Sequence, residues 1–487
     1  MKILYILLFL KLSISPVKAN LLGLIDEFLQ NNIEINKNQT ALELSDLNYQ
    51  AVYKKRSWVL SASSTHDNNN LDAYSRFGNR AAKIFRNSLS VQKDFIWGGS
   101  LSLANTLTSI KNDPASAPVF FGGPQKINQF GQTLTYKQAL GINFLGRDNL
   151  QELKIAESNL SYNKLNMKNS KEQGVLLFYH TYLTACLNKG LFDLQKKALE
   201  RAQKRSKLIK KRVRDGLRQR VDLLQVEMNE IKQQEEFKNA SINLDSSMEN
   251  LSNLLHRKVN HTELDENFSK KSPLVSFEKN NINHEKNDDE LIQENPSISL
   301  IKEQLQSQKA SLQRSKYNLF PKVEFFTQYS TDRYSDQISQ AFSRGFLGND
   351  RNQIIVGINV NFPLWAEPQH SKFKQAQTNF ALTTLTLEKV AENIKLQEES
   401  LIKKLLQLEK NILSVEKRIK LAKSVLKQYN NLYRLGKRDL DQVINAEESL
   451  INTERSFIGY LVEKEKVLAK LASLRGQLLD ILTKKQQ

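Results

Sequence analysis

The sequence contains an internal duplication. Residues 139–256 align with residues 359–476 at a constant shift of 220 and without a gap. Identity between the two copies is low, but matched positions recur along their whole length, as in Lys154 with Lys374, Asn159 with Asn379 and Gly216 with Gly436. A fixed offset of this kind indicates duplication of one structural unit. Each copy reads as an alternating strand, a very long helical pattern, a glycine break and a second helix.

The N-terminus has the features of a secretory signal peptide. Residues 1–19 contain Lys2, an apolar run over 3–10, and the small residues Val17 and Ala19 before a predicted cut. The apolar run is too short to span a bilayer, although an N-terminal anchor is the alternative interpretation. We therefore expect the mature chain to begin at Asn20, outside the cytoplasm.

After Ala19 no run reaches the length of a membrane-spanning helix, so insertion into a membrane would require strands. Residues 354–364 alternate most clearly, with Ile354, Val356, Ile358, Val360, Phe362 and Leu364 on one face. An apolar-out, polar-in strand of this length is typical of a membrane barrel. Taken alone, the pattern fits a half-buried strand of a soluble sheet better, because the signal from one barrel strand is weak.

The second copy contains a long helical seam. From residue 401 the apolar or small positions alternate steps of four and three: Leu401, Leu405, Leu408, Ile412, Val415, Ile419, Ala422, Leu426, Tyr429 and Tyr433. A strict repeat of this period predicts left-handed supercoiling against a partner helix. The helix over 366–430 would be about 100 Å long, at 1.5 Å per residue. The first copy, over 147–209, has the same length with a weaker seam.

Strands are predicted near 57–64, 134–145, 323–330 and 352–363, with a further strand-like run over 95–108. Between its paired strands the first copy holds about 45 more residues than the second, judged from the change in repeat offset. This excess predicts an extended loop or an additional hairpin.

Several short segments together resemble the TolC family of outer-membrane efflux and secretion ducts, over essentially the whole mature chain. They are Asn295-Pro296, Leu319-Phe320-Pro321, Gly357 with Phe362-Pro363-Leu364, Tyr433-Arg434-Leu435-Gly436 and Val443-Ile444-Asn445-Ala446. The resemblance rests on their order, spacing and duplication, since no single segment is specific. It implies a homotrimer in which each chain gives four strands to one twelve-stranded barrel in outer-membrane lipid. It also implies a periplasmic helical tunnel, a periplasmic adaptor protein and an inner-membrane transporter.

The predicted fold class is accordingly an α+β membrane protein with a duplicated strand–helix repeat and long coiled-coil hairpins. The predicted organisation is a signal peptide over 1–19, a first repeat over 20–256, a polar equatorial segment over 257–294 and a second repeat over 295–487. Four strands cannot close a barrel alone, and open edges are excluded from lipid, which agrees with oligomerisation.

By the same resemblance, the glycine turns at Gly216 and Gly436 mark the tunnel tip. Tyr433 and Arg438 at the second turn would then reach Asp222 near the first turn and latch the entrance closed. Val221 replaces a hydroxyl partner of the family's latch. The alternative is that these residues form a solvated helix end, as exposed ion pairs often contribute little.

The entrance departs from the family's pattern of acidic rings. Gln442 and Asn445 occupy the expected aspartate positions, while Asp439 and Asp441 are shifted along the helix. Residues 189–220 hold 13 Lys/Arg against 3 Asp/Glu, and residues 409–440 hold 9 against 3. The entrance is therefore predicted to lack strong cation selectivity. A solvated outer face, or a surface that docks an acidic adaptor, are the alternatives for this basic charge.

These patterns favour a passive export duct that is not an enzyme and needs no cofactor. No metal-ligand motif, paired catalytic carboxylates or nucleophile–base pattern is apparent, and Cys186, as the single cysteine, cannot form a disulfide within the chain. A nucleic-acid-binding role is disfavoured despite a pI near 9.6, because no basic–aromatic module is present. An exported coiled-coil scaffold or adhesin without a pore is the alternative function. The sequence leaves the cargo open.

Overall fold

The computed structural model describes residues 21–69, 82–112, 126–264, 274, 277, 295–345, 352–362, 364 and 367–483. The predicted signal peptide and most of the predicted equatorial segment lie outside these residues. The chain divides into two units. One, the helical unit, comprises Met1–Ala41, Lys164–Leu300 and Leu387–Gln487, and the other, the strand unit, comprises Leu42–Asn163 and Ile301–Thr386.

Nine α-helices occur in the described residues. They are α1 Leu21–Asn31, α2 Ile33–Lys54, α3 Arg147–Arg214, α4 Arg220–Leu255, α5 Pro296–Tyr317, α6 Ile338–Gly345, α7 Glu367–Arg434, α8 Leu440–Leu474 and α9 Leu478–Thr483. Helices α3 and α7 each have 68 residues, and both begin and end at the shift read from the sequence. The same shift relates the starts of α4 and α8. The duplication is thus a duplication of helical hairpins.

Within the helical unit, side-chain pairs fix how the hairpins pack. In the first hairpin Gln195 of α3 donates to Gln233 of α4 across a buried contact of 2.6 Å. In the second, the ammonium groups of Lys404 and Lys423 in α7 pair with Glu463 and Glu454 in α8, so the two helices run antiparallel. Helix α8 also contacts the first hairpin through Lys232–Glu448 and Arg455–Glu236.

The seam predicted in α7 occupies the least exposed face of that helix. Leu401, Leu405, Leu408 and Val415 are buried, and the remaining predicted positions are half-buried except for Tyr433, which is also buried. Leu401, Leu405 and Leu408 belong to the main core cluster, with Phe178 and Leu183 of α3. This burial stabilises the long helices, because most helical stability in proteins comes from the packing of one face rather than from propensity.

The strand unit contains one six-stranded antiparallel sheet in sequential order. Its strands are β1 Val59–Asn69, β2 Ala82–Asp94, β3 Gly99–Asn112, β4 Lys126–Ala139, β5 Lys322–Ser335 and β6 Asn352–Asn361. The prediction of four strands per chain was wrong. The excess residues of the first copy form the additional hairpin β2–β3, one of the two alternatives that the sequence had left open.

The strand boundaries also differ from those predicted. Strand β4 ends at Ala139 rather than at residue 145, because Leu140 and Gly141 turn away while donating to the carbonyl of Val323. A Cβ at Gly141 would lie 2.0 Å from the carbonyl oxygen of Pro321, so only glycine fits this crossing. Asn143 then accepts hydrogen bonds from the backbone of Asp148 and Asn149 and caps the start of α3.

The two faces of the sheet differ in chemistry across all six strands. Cross-strand pairing traces one row of apolar and aromatic residues: Leu60, Val91, Leu103, Leu134, Tyr329 and Ile354. The adjacent row on the opposite face is small and polar: Ser61, Ser90, Ala104, Thr133, Ser330 and Gln353. The additional hairpin β2–β3 follows the same alternation as its neighbours, so it extends both faces of the sheet.

No helix in the described residues is sufficiently long and apolar to cross a membrane.

A buried carboxylate joins α3 to the C-terminal helix of the helical unit. Glu172 is 1% exposed and accepts hydrogen bonds from the backbone N–H groups of Leu478 (2.8 Å) and Leu479 (3.0 Å) at the start of α9. Burial raises the pKa of Glu172 to about 7, and the nearby charge of Asp480 adds to the shift against the two hydrogen bonds.

This environment predicts a pH-dependent stability. Between the ordinary pKa of 4.5 and about 7 the folded chain binds more protons at Glu172 than the unfolded chain does. The free energy of unfolding should therefore fall as pH rises through this window. The Glu172→Gln variant carries no charge at any pH, so its melting temperature should fall less than that of the wild type, by at least about 2 °C between pH values near 5 and 8. Equal falls, measured by circular dichroism, would contradict the shifted pKa.

Candidate functional site

The two glycine turns have the same geometry. At the first, Gly216 has φ 72° and Leu217 donates to the carbonyl of Arg212 at 2.8 Å. At the second, Gly436 has φ 71° and Lys437 donates to the carbonyl of Leu432 at 2.9 Å. Both are helix-ending motifs in which a left-handed residue closes the last turn, a conformation that favours glycine.

The returning helices also begin alike. Gln219 before α4 and Asp439 before α8 both have φ −81° and ψ 154°, and neither side chain caps its helix. The backbone of the tip was therefore duplicated together with the helices. The differences between the turns lie in their side chains.

Tyr433 lies at the centre of a small apolar cluster that joins both turns. It is 6% exposed and packs with Ile209, Val226, Leu440, Val443 and Ile444. Its hydroxyl oxygen is buried and has no hydrogen-bond partner among the described residues. Burial raises the pKa of the phenol, with a smaller contribution from the charge of Asp222 and an opposing one from Arg218. Asp222 is thus close enough to act on Tyr433 through its charge, without a hydrogen bond to it.

Sequence reasoning missed Arg218. Its guanidinium lies over the ring of Tyr433, 4.4 Å from the ring centroid, and donates to the Tyr433 carbonyl at 3.2 Å. A cation over an aromatic face contributes about 0.5–1 kcal/mol at exposed sites and more when desolvated. Arg218 occupies the first-copy position equivalent to Arg438, so the duplication itself could have pointed to it.

The other predicted tip residues are not gathered into one cluster. Arg438 is exposed and forms no ion pair within the described chain. Asp439 and Asp441 are exposed, and Asp441 accepts a hydrogen bond from the amide of Asn445 at 3.1 Å. The amide oxygen of Gln442 is buried and lacks a hydrogen-bond partner in the described part of the chain.

A charged cluster lies on the turn-facing halves of the helices. Glu447 of α8 is 5% exposed and accepts hydrogen bonds from Arg201, at 2.5 Å, and from Arg205, both on α3. Removing one partner of such a buried ion pair leaves an unpaired buried charge, which typically costs about 3–5 kcal/mol. These contacts hold the returning helix of the second hairpin against the descending helix of the first.

The basic residues of α3 lie beside a narrow buried stripe. Ala198, Ala202 and Ile209 are buried, with Gln195 and Ser206, whereas Lys196, Lys197, Lys204, Lys207, Lys210 and Lys211 are exposed.

A cleft of about 590 Å³ lies at the end of α4, lined by residues that include Glu249, His256 and His261. Across the described residues, no group of three His, Cys, Asp or Glu side chains could hold a metal ion.

The shared glycine geometry gives a direct test of the turns. A Gly436→Ala substitution should lower the stability of the folded chain by about 1 kcal/mol, because it forces an alanine into the left-handed region. The matched control is Gly459→Ala in the interior of α8, where an added Cβ meets nothing within 4 Å. That change should raise stability through helix propensity. In thermal unfolding the two variants should shift the melting temperature in opposite directions. Equal shifts would contradict the conformational role of Gly436.

The structure resembles several solved outer-membrane proteins. VceC from Vibrio cholerae has a TM-score of 0.66 and 13% identity, and the match covers 96% of this chain and 97% of that one. The MtrE outer membrane channel of Neisseria gonorrhoeae, in its open state, has a TM-score of 0.66 and 14% identity, and the match covers 96% of this chain and 91% of that one. CusC, described as forming a transmembrane channel, has a TM-score of 0.65 and 14% identity, and the match covers 93% of this chain and 91% of that one.

No protein-family model matches the sequence. No curated protein matches it either. The likeness therefore concerns structure alone. The chain has the fold of the TolC-family outer-membrane channels.

Proposed function

We propose that this protein is the outer-membrane channel of a tripartite efflux or type I secretion system. Three copies would form a barrel in the outer membrane and a helical tunnel in the periplasm. A periplasmic adaptor and an inner-membrane transporter would deliver cargo to the tunnel tip. The chain would be a passive conduit without catalytic chemistry.

The observation that carries this proposal is the chemistry of the sheet. Its apolar row presents side chains that are well exposed in one chain, such as Leu103 at 42% and Ile354 at 68%. The opposite row consists of small and polar side chains. A membrane barrel with an aqueous lumen requires this arrangement, whereas a soluble sheet would cover its apolar face.

Aromatic residues at one end of the sheet support the same interpretation. Trp58 precedes β1, with the ammonium of Lys93 5.6 Å from its ring centroid, and Trp97 stacks on Phe95 in the β2–β3 turn. Phe362 follows β6 and is 61% exposed. All lie at the end where strands connect to helices. Barrels carry such aromatic girdles at the membrane interfaces.

Channel formation and the lining of the tip can be tested together. The protein extracted from outer membranes should conduct ions in a planar bilayer, without strong cation selectivity in a salt gradient. The Gln442→Asp/Asn445→Asp variant should shift the reversal potential towards cation selectivity, since lining charges set the local counter-ion excess. Replacing exposed Asn253, at the far end of α4, by Asp is the control and should leave the potential unchanged.

A protein that fractionates as a soluble monomer and never conducts would favour the exported scaffold instead. A conducting channel whose wild type is already as cation-selective as the double variant would place the exposed lysines of α3 away from the pore. Their role would then be docking or solvation.

For the tip, we propose that Tyr433 and Arg438 engage Asp222 in the assembled, closed entrance. Leaving a buried hydroxyl without a partner costs about 1–3 kcal/mol, and Asp222 is the acceptor whose charge already acts on Tyr433. The exposed guanidinium of Arg438 is available to a neighbouring copy. Contacts of this size can hold a resting entrance that is still able to open.

The latch predicts that Tyr433→Phe and Arg438→Ser each raise single-channel conductance. Because the two changes share Asp222, their effects should be less than additive in the double variant. Tyr429→Phe is the matched control, as it lies one turn earlier in the same cluster and should not alter conductance. If the hydroxyl of Tyr433 has no partner in the assembly, Tyr433→Phe will instead raise thermal stability and leave conductance unchanged.

A further inference from the structure

The cross-strand row on the apolar face does not run level with the ends of the strands. Leu60 lies one residue from the helix-connected end of β1 at Val59, whereas Ile354 lies seven residues from that of β6 at Asn361. On β2 to β5, the row residues Val91, Leu103, Leu134 and Tyr329 lie three, four, five and seven residues from the strand ends on this same side of the sheet. The strands are therefore staggered in one direction, as closure into a tilted barrel requires.

This stagger restricts how a second copy can pair with the sheet. Strands β1 and β6 are its two edges, and they run in opposite directions because the number of strands is even. An antiparallel joint between β6 of one copy and β1 of the next continues the ladder. When the cross-strand row that starts at Leu60 passes through all six strands, it reaches β1 of the next copy at a residue further along that strand. The number of residues between Leu60 and this new position is the offset per copy. It must be even, because an odd offset would exchange the two faces of the sheet.

Strand geometry limits the offset further. With a rise of about 3.4 Å per residue and a spacing of about 4.8 Å between strands, an offset of six residues per six strands gives a tilt of about 35°, and eight gives about 43°. Offsets of four and ten give about 25° and about 50°, outside the range of about 35–45° found in membrane barrels. The stagger observed within the chain averages slightly more than one residue per pairing, which agrees with six or eight.

The helix-connected ends of the edge strands favour six, because that offset brings Asn361, the last residue of β6, opposite Val59, the first residue of β1. In that register Ile354 lies opposite His66, and all ten residues of β6 face Val59–Asn68 of the neighbouring β1. Val360 then meets Leu60 and Ile358 meets Ala62 on the apolar face. An offset of eight would place Asn361 opposite Ser61 and leave Val59 and Leu60 without partners in β6.

Within the described chain the edge residues of the row have a strand neighbour on one side only, and they are correspondingly more exposed than the inner residues. Leu60 and Ile354 are 67% and 68% exposed on the edge strands, whereas Leu103 and Leu134 on inner strands are 42% and 43% exposed. A neighbouring strand on each side would bring the edge residues to the level of the inner ones.

We propose that three copies of this chain close an eighteen-stranded barrel, with Ile358 of each β6 opposite Ala62 of the next β1. This deepens the proposed function and rests on its three-fold assembly. It departs from the twelve strands that the family resemblance implies, because the additional hairpin β2–β3 contributes two strands per copy.

The added strands widen the membrane pore. At a tilt of about 35° and a strand spacing of about 4.8 Å, eighteen strands form a backbone cylinder about 34 Å across, compared with about 23 Å for twelve. The cross-section is about doubled. Barrels of this strand number leave an open aqueous channel, so restriction of cargo falls to the helical tip.

Disulfide cross-linking tests both the register and the number of strands. In a Cys186→Ala background, Ile358→Cys with Ala62→Cys should give covalent dimers and trimers when outer membranes are oxidised and run on a denaturing gel. Ile358→Cys with Ser64→Cys represents the eight-residue offset and should cross-link far less. Ile358→Cys with Ser63→Cys places the two thiols on opposite faces and is the negative control.

A cross-linked ladder that stops at two copies would overturn the proposal, because two copies of six strands close a twelve-stranded barrel. Stronger cross-linking through Ser64 than through Ala62 would overturn the register. A membrane-inserted, conducting oligomer that cross-links through neither pair would overturn the joint itself. Failure of the proposed function gives a different result, since the protein would then be absent from the membrane and would not conduct.

Discussion

Backbone hydrogen bonding at the two edges of the sheet is the constraint on which the structure depends. Strands β1 and β6 each have a strand neighbour on one side within the described chain. In water an open edge invites association, and in hydrocarbon it leaves several kcal/mol of unmade hydrogen bonds per group. A sheet with an apolar face cannot therefore act alone in lipid. In the proposed assembly, pairing β6 of one copy with β1 of the next would satisfy both edges at once, and the channel would then be a property of the assembly rather than of the chain.

The same constraint explains how the duplicated halves could diverge. Their helices are held to equal length, since α3 and α7 have 68 residues each and turn at the same glycine geometry. Their strands are not equal in number, because β2 and β3 have no counterpart among the described residues of the second copy. A hairpin adds strands in pairs, so it preserves the antiparallel order and the opposite directions of the two edges. An insertion of one strand would have made the edges parallel.

Much of this architecture follows from periodicity, but not all of it. The starts of α3 and α7 and the position of β6 were predictable from their patterns, whereas the two helices continue beyond the predicted ends at residues 209 and 430, to Arg214 and Arg434. Strand β2 was missed because its apolar face, with Phe85, Leu89 and Val91, is interrupted by Asn87 and Lys93. Glu172 could not be recognised, since its partners are backbone groups at the far end of the chain. The predicted tip residues remain proposals, because their partners would lie partly in other copies.

The tip shows how one substitution between the copies can assign different tasks to equivalent residues. Arg218 and Arg438 precede their returning helices by the same distance, and the N-cap residues that follow them have identical dihedral angles. Arg218 stacks on Tyr433, but the first-copy equivalent of Tyr433 is Val213, which offers no ring to Arg438. One arginine is therefore bound within the chain and ties the two turns together. The other keeps an exposed charge. Since a guanidinium pairs readily with a carboxylate, Arg438 is the arginine that the proposed assembly would use between copies, whereas Arg218 is already engaged by Tyr433 within the chain.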